Sequence, residues 1–363
     1  MKIGIDASKL ETVHKTGTEY YATVVIRGLL QSIPDTHEII LYSHKALSQD
    51  ILALHPNVTN RVIRSRYLWT LWGLSWELLT NPVDVFYTPA SILPPIHPKK
   101  SILVVHGLEY EAFPQAYSLF RFWHLALFTQ LSAEWASTVI TPTQSTREDL
   151  SSEYGIELNK INVVLSGIPE SDISTEADQI RQEITLFKTE QYILMIGRKE
   201  LRKNIITLIE AFNQVKKTHS QIKLILAGEP GYGYKDIKKT IEKSEYSNDI
   251  IELGRVTDKE KDILYQYAHI VAYPSYYEGF GFPILEALQY GATVLASDIP
   301  SSQEIGEDMI EYIQTEDILA WAQAIQNTLN TPITAEIKKQ RKEYVTKFNF
   351  ADTIQKTQNI ILS

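Results

Sequence analysis

Not one of the 363 residues is cysteine, so disulfides, thiolate nucleophiles and cysteine-held metals are excluded, and nothing asks for an oxidising compartment. No run of about 18 apolar residues occurs, which removes a membrane-spanning helix from the expectations. The chain begins on a strand-like run, KIGIDAS, without the charged and apolar regions of a secretory leader, so a cytoplasmic location is expected. Basic residues are in deficit, with a net charge of −9 and a pI near 5.6. A general nucleic-acid binder needs a basic face to neutralise phosphates, so nucleic acid is not an expected partner. Any anionic ligand must be held by a local cluster. The G-x-G-x-x-G fingerprint is also missing, which counts against a nicotinamide dinucleotide site and hence against a dehydrogenase.

What is present suffices for two cores: 44% of the residues are apolar, and the length exceeds what one core usually organises. Short Val-, Ile- and Leu-rich runs alternate with helix-period segments. In the first half strands are expected at 2–7, 38–43, 84–89, 101–107, 138–143 and 162–167; in the second at 192–197, 222–228, 250–255, 269–275 and 293–298. Helical patterns at 18–31, 204–217 and 258–267 lie between them. Strands of this kind, each followed by a polar turn and a helix, describe parallel sheets covered on both faces. The fold class is therefore α/β, with two Rossmann-like doubly wound units in succession. The acidic stretch 168–191 reads as linker plus lead-in helix, placing the boundary near residue 170, with domains 1–170 and 171–347.

Open α/β sheets bind ligands beyond the C-terminal ends of their strands, and with two facing units the cleft between them becomes the expected site. Gly17 precedes a helix start near Thr18, where backbone amides could meet an anion or where the glycine simply serves a turn. The loop GRKELRKN places Arg198, Lys199, Arg202 and Lys203 within six positions, and Asn204 is suited to cap the following helix. Such a cluster is either a solvated basic turn or, as the overall acidity argues, an anion site whose mixed cations suit a diphosphate. His106 follows a buried-looking strand and either projects into the cleft or satisfies a backbone group. In EGFGFPILEAL, Gly279 and Gly281 allow close approach to the backbone, and Pro283 suits a first helical turn. Glu286 then falls among apolar helical neighbours and needs hydrogen-bond donors, from sugar or ribose hydroxyls or from the protein itself.

Aromatic side chains gather in two places. RYLWTLWGLSWELLT (66–80) sets Trp69, Trp72 and Trp76 at spacings of three and four, read first as a core-facing helix. The alternative is a surface for a lipid-linked or other apolar acceptor, or a peripheral contact with a membrane interface. AYSLFRFWHLALF (116–128) is equally ambiguous.

The ordered set strand-G-R-x4-K-N, LAGEPG, LGRV, E-x7-E and GATVLASDIP resembles the retaining glycosyltransferases of family 4, which have the GT-B architecture. TGTEYY, VDVFYTPASILPP, HGLEYEAFP, TPTQSTREDL and the terminal FNFADTIQKTQNIIL extend the resemblance over nearly the whole chain. It implies that Arg198 and Lys203 neutralise the donor diphosphate, that Glu278 holds the transferred sugar and that Glu286 holds the ribose. Gly279, Phe280 and Gly281 would lie along the sugar and pyrophosphate, with Arg255 and Val256 beside the base. Gly17 matches the loop closing over the phosphates, and His106 a histidine touching the donor sugar. The family often has His-Asp there, whereas this chain has His106-Gly107. The segment 348–363 resembles a last helix that returns to the N-terminal domain.

The resemblance implies transfer of a hexosyl unit, with retention, from a nucleotide diphosphate sugar such as GDP-mannose, UDP-glucose or dTDP-rhamnose. The acceptor would be a glycan, a lipid-linked molecule or a small hydroxyl compound, met in the cytoplasm or at the inner face of the membrane. No D-x-D element suited to chelating a metal diphosphate occurs, so no metal is expected. A nucleotide-sugar epimerase, a sugar phosphorylase and a non-catalytic sugar-nucleotide-binding protein remain as alternatives.

Overall fold

The computed structural model describes residues 1–12, 16–65, 68–168, 181–331 and 333–363. They divide into two compact units, Met1–Gly167 together with Phe348–Ser363, and Ile168–Lys347. The boundary expected near residue 170 lies outside the described residues.

Among the described residues the first unit has seven parallel strands: β1 (Lys2–Asp6), β2 (Glu38–Ser43), β3 (Val58–Val62), β4 (Val85–Thr88), β5 (Lys100–Val104), β6 (Thr138–Thr141) and β7 (Ile161–Val163). They run in the order β3-β2-β1-β4-β5-β6-β7. Successive side chains on a strand point to opposite faces, and here both faces are apolar. Ile3, Ile5, Leu41, Val85 and Val104 pack on one side beneath the helices Gly17–Ser32 and Phe350–Leu362. Tyr42, Phe86, Leu103 and Val139 pack on the other with Trp69, Leu78, Ala126 and Ala133. The second unit holds six parallel strands among its described residues: β8 (Tyr192–Ile196), β9 (Lys223–Ala227), β10 (Ile250–Leu253), β11 (Ile270–Tyr273), β12 (Val294–Ser297) and β13 (Glu311–Ile313). Their order is β10-β9-β8-β11-β12-β13. The chain direction across each sheet reverses between β1 and β4 in the first unit and between β8 and β11 in the second.

Two strands escape sequence reasoning, β3 with the sequence VTNRV and β13 with EYI. Both sit at sheet edges, where one side of the strand has no neighbour and polar side chains are tolerated. The aromatic segment also departs from expectation. Trp69–Leu74 winds as a π-helix before the α-helix Ser75–Thr80, a wider turn than the α-helical spacing assumes. Trp69 is buried and donates its indole N–H to the carbonyl of Ile63 at 3.0 Å. Trp72 and Trp76 are 71% and 67% exposed, so the core reading holds for the first tryptophan and fails for the other two. In the second aromatic run, the helix Leu119–Trp135 buries Ala126, Thr129, Ser132 and Ala133 and exposes Phe120 and Trp123. No helix among the described residues is long and apolar enough to cross a membrane.

The helix Phe350–Leu362 is locked into the first unit by close approach. A Cβ at Gly28 would meet Ile354 Cδ1 at 2.2 Å, so glycine lets the two helices touch. The Thr353 hydroxyl donates to the carbonyl of Leu165 at 2.8 Å and accepts the amide of Gly167 at 2.9 Å. A Cβ at Gly167 would lie 2.2 Å from the Phe350 nitrogen, a backbone atom that cannot turn aside. Gly167→Ala should therefore destabilise the first unit by about 1–3 kcal/mol, the usual penalty of overpacking. Five of the six tryptophans, Trp69, Trp72, Trp76, Trp123 and Trp135, lie in that unit, so denaturation followed by indole fluorescence reports it. An unchanged midpoint would show that the helix is not held by this contact.

Candidate active site

Doubly wound sheets leave a crevice where the strand order reverses, because the loops on either side of that point leave in opposite directions. In the second unit those loops follow β8 and β11, and they carry the basic cluster and the first glutamate. After β8 the chain forms a short 3₁₀ turn, Leu201–Lys203, which carries Lys203 inward. Its ammonium lies 4.8 Å from the centre of the Tyr273 ring at the end of β11 and 3.1 Å from the Tyr273 hydroxyl. The Glu278 carboxylate pairs with Lys203 and also with Arg202, at 3.0 Å. Arg202 donates further to the carbonyl of Tyr277 at 2.6 Å and to Glu200 at 2.8 Å, binding the two loops together.

The electrostatics follow from this count. Burial by itself would raise the pKa of Glu278, but Lys203 and Arg202 outweigh it and hold the carboxyl at about 2. Burial is also the main cause for Lys203, pulling its ammonium below the ordinary lysine value, with Glu278 and, more weakly, Glu200 offsetting part of the effect and Arg202 adding to it. Glu278 is held down by two cations, while for Lys203 burial and the neighbouring Arg202 outweigh the carboxylates, so both groups shift downward. Glu278 is ionised at neutral pH.

Beyond Glu278, Gly279 and Phe280 are buried, and Gly281 has φ of 109°, a conformation that favours glycine, at the N-cap of the helix Phe282–Gln289. Pro283 occupies its first turn. On that helix both oxygens of Glu286 are engaged by protein donors, Lys261 at 2.7 Å and the Tyr265 hydroxyl at 2.9 Å. Both partners lie on the helix Asp258–Tyr267, one turn apart. This helix follows β10 through Arg255, which is exposed, and Val256, which is half-buried. The Thr257 amide donates to Glu260 at 2.7 Å and the Glu260 amide to the Thr257 hydroxyl, a reciprocal cap that fixes the turn.

The basic cluster does not act as one body. Arg198 is exposed, whereas Lys199 is buried against Glu252 at 3.0 Å and over the Tyr234 ring. Asn204 stands at the N-cap position of the helix Ile205–Lys216, but with φ of 50° its side chain turns away and donates to the carbonyl of Thr315 at 2.7 Å. The expected side-chain cap is thus replaced by a tie to the loop after β13.

His106 and Gly17 belong to the first unit. His106 follows β5; its Nε2 lies 2.9 Å from the carbonyl of Pro89, and its ring meets Tyr21 edge-on at 4.8 Å. Burial pulls its pKa down to about 4 despite that hydrogen bond. A carbonyl only accepts, so the neutral ring carries its proton on Nε2 and keeps Nδ1 as an acceptor. Gly17 is the first residue of its helix and is exposed; the preceding Thr16 amide donates to Glu19 at 3.0 Å. Sequence reasoning passed over Asp6, buried at the reversal point beside β4. It accepts from the Ser8 amide at 3.0 Å and the Thr88 hydroxyl at 3.4 Å, and burial raises its pKa. Its signal was an acidic residue closing the apolar strand KIGID.

Residues 16–172 match the model of glycosyltransferase family 4, and residues 176–348 that of glycosyl transferases group 1. The O-antigen chain mannosyltransferase RfbU of Salmonella typhimurium is 24% identical over 261 residues, 72% of this chain and 69% of its own. The O-antigen chain mannosyltransferase B of Escherichia coli is 26% identical over 273 residues, 74% of this chain and 71% of its own. Among solved structures, Anabaena HepE in complex with UDP and glucose superposes with a TM-score of 0.72 at 18% identity, over 99% of this chain and 98% of that one. At that identity the likeness concerns the fold alone. The matched models span both units, and the chain belongs to the family 4, group 1 glycosyltransferases, enzymes of the GT-B fold.

Proposed function

We propose that this enzyme transfers a hexosyl unit, with retention, from a nucleotide diphosphate sugar to a hydroxyl of a growing cell-surface glycan. The observation that carries the reading is the pair of cations, buried Lys203 and half-buried Arg202, that meet on the Glu278 carboxylate where β8 and β11 diverge. The names of the two mannosyltransferase relatives favour a mannosyl donor, and the UDP bound to HepE favours a nucleotide diphosphate leaving group. GDP-mannose is the donor we propose first. The same relatives favour a glycan or lipid-linked glycan acceptor, met at the cytoplasmic face of a membrane.

Breaking the bond between the anomeric carbon and the diphosphate puts negative charge on the leaving group, so fixed cations there stabilise the transition state most. Lys203 and Arg198 take this role. Glu278, with a pKa of about 2 and two cations on it, is a weak base and a weak nucleophile. That supports attack from the face of the departing phosphate, which itself accepts the acceptor's proton, with Glu278 hydrogen-bonding the sugar. Glu286, oriented by Lys261 and Tyr265, keeps lone pairs for the ribose hydroxyls. Gly279, Phe280 and Gly281 line the sugar and pyrophosphate, Arg255 and Val256 the base, Gly17 the phosphates, and His106 presents Nδ1 to the donor sugar.

If one charge-assisted bond of about 1.5–3 kcal/mol is made by Lys203 in the transition state, Lys203→Met should slow transfer roughly 10- to 150-fold. It should also destabilise the second unit, because a buried carboxylate loses a partner. Lys203→Met combined with Glu278→Gln should regain stability without regaining rate. Thermal unfolding and radiolabelled-sugar transfer separate the two effects; full transfer by either variant would sink the assignment. Release of a free epimerised sugar, or dependence on inorganic phosphate, would instead identify an epimerase or a phosphorylase. A thermal-shift panel of UDP, GDP and dTDP sugars tests the donor, since a ligand bound only by the native state raises apparent stability.

His106 generates a pH prediction. Its folded pKa of about 4 lies below the unfolded value near 6.5, so between these values the unfolded chain holds more protons. Stability from this group is therefore intact above about pH 6.5 and falls as the pH drops toward 4, while the transfer rate shows no histidine limb near 6.5. His106→Gln keeps a donor for Pro89 and should flatten this part of the stability profile in denaturant titrations. An equally steep acid loss in the variant would remove His106 as its source.

A further inference from the structure

Two helices of the first unit carry aromatic side chains that stand exposed among the described residues. Trp72 and Trp76 stand out from the segment Trp69–Thr80, and Leu119, Phe120, Trp123 and Leu127 from the helix Leu119–Trp135, Phe120 at 80% and Trp123 at 65% exposure. Both elements pack on the same face of the seven-stranded sheet. The loop between β4 and β5 ties them side by side: the Leu93 amide donates to the Ser132 hydroxyl at 2.8 Å and the Ile96 amide to the Ser75 hydroxyl at 3.4 Å. Ile96 between them is exposed as well. Scattered apolar side chains need no explanation, but this many large ones on adjoining helices mark an interaction surface.

The charges around these side chains identify what they meet. By sequence, residues 56–80 and 112–135 contain the arginines Arg61, Arg64, Arg66 and Arg121 against two carboxylates, Glu77 and Glu134, in a chain whose net charge is −9, and Arg61 pairs with Glu77 at 3.3 Å. Arg64 and Arg121 are exposed, the latter 5.5 Å from the centre of the Tyr117 ring. Indole and phenyl rings interleaved with arginine suit the boundary between headgroups and acyl chains, where rings enter the apolar layer and guanidinium groups meet anionic headgroups. A two-fold contact with a second copy would set the same patch against itself and oppose like charges. We infer that this face seats the enzyme on an anionic lipid bilayer, holding it peripherally. The inference rests on the reading of the acceptor as membrane-bound and adds the surface and the lipid charge.

Flotation of the full chain with vesicles of phosphatidylcholine alone, and of phosphatidylcholine with phosphatidylglycerol, tests it. The wild type should float with the anionic vesicles only. Replacing Trp72, Trp76, Phe120 and Trp123 together by serine should weaken partitioning at least roughly tenfold, given the apolar area withdrawn. Arg64→Gln with Arg121→Gln should weaken it roughly 5-fold per cation at low salt, and added salt should reproduce that loss in the wild type. Equal binding to neutral vesicles, unchanged binding by the serine variant, or a concentration-dependent dimer abolished by the serine substitutions would overturn the inference. Donor hydrolysis measured on the same samples reads the enzymatic proposal separately. Intact hydrolysis without vesicle binding sinks only the docking surface, and vesicle binding without hydrolysis of any nucleotide sugar sinks only the proposed activity.

Discussion

A lysine ammonium buried between two strand ends is the constraint on which the rest of the second unit turns. Removing such a charge from water costs several kcal/mol, and the cost is offset only when the geometry supplies a counter-charge and further acceptors. Lys203 has both, in the Glu278 carboxylate and the Tyr273 hydroxyl. Meeting them requires the 3₁₀ turn after β8, the arrival of Tyr273 at the end of β11, and the glycine-rich turn that brings Glu278 back over the crevice. Arg202 then closes the arrangement by bonding to the β11 loop from the β8 loop. An apolar cluster of similar volume would hold these loops at least as well. The ion pair therefore makes more sense as a cationic site kept dry and ready, with Glu278 balancing its charge.

Much of the architecture was legible because parallel strands buried on both faces have a strong signature. Runs such as YILMI and KLILA have no polar face, and the polar, glycine-containing turns after them separate each strand from its helix. VTNRV and EYI lack that signature for a physical reason. At the edge of a sheet a strand has one neighbour instead of two, and neither length nor apolar content is demanded of it. The tryptophan segment failed differently. Spacing shows that Trp69, Trp72 and Trp76 lie near one another on a helix, but not whether anything covers them, and the π-helical winding that turns Trp69 inward has no recognisable sequence signal.

Within the site, residue type and order singled out Arg198, Lys203, Glu278 and Glu286, while their surroundings had to come from tertiary structure. Arg198 and Lys199 are adjacent in sequence yet opposite in fate. Lys199 forms a backbone bridge with Pro230 and a hydrogen bond from its amide to Glu229, which turns its side chain onto Tyr234 and Glu252 and leaves Arg198 outside. No local pattern encodes that choice, because the strand-end loop that makes it lies some 30 residues away. Lys261 and Tyr265 were hidden for the same reason: their one-turn spacing is visible, but that they face Glu286 depends on two helices packing.

The two glutamates of the E-x7-E spacing show why position in a motif underdetermines chemistry. Glu278 sits in a turn between two cations, which hold it ionised and leave it little basicity. Glu286 stands on a helix between one ammonium and one phenol, both of them donors. A catalytic acid and base need environments that push their pKa values apart and toward neutrality. Here Glu278 is instead pushed away from neutrality, so the two do not form such a pair, and Glu286 takes one donor on each oxygen with lone pairs to spare for further donors. Two fixed acceptors on either side of a glycine-rich turn favour holding a long, hydroxyl-rich donor over cleaving it by acid–base catalysis. Under the proposed transfer, the charge stabilisation that cleavage requires falls to the cations at the strand ends.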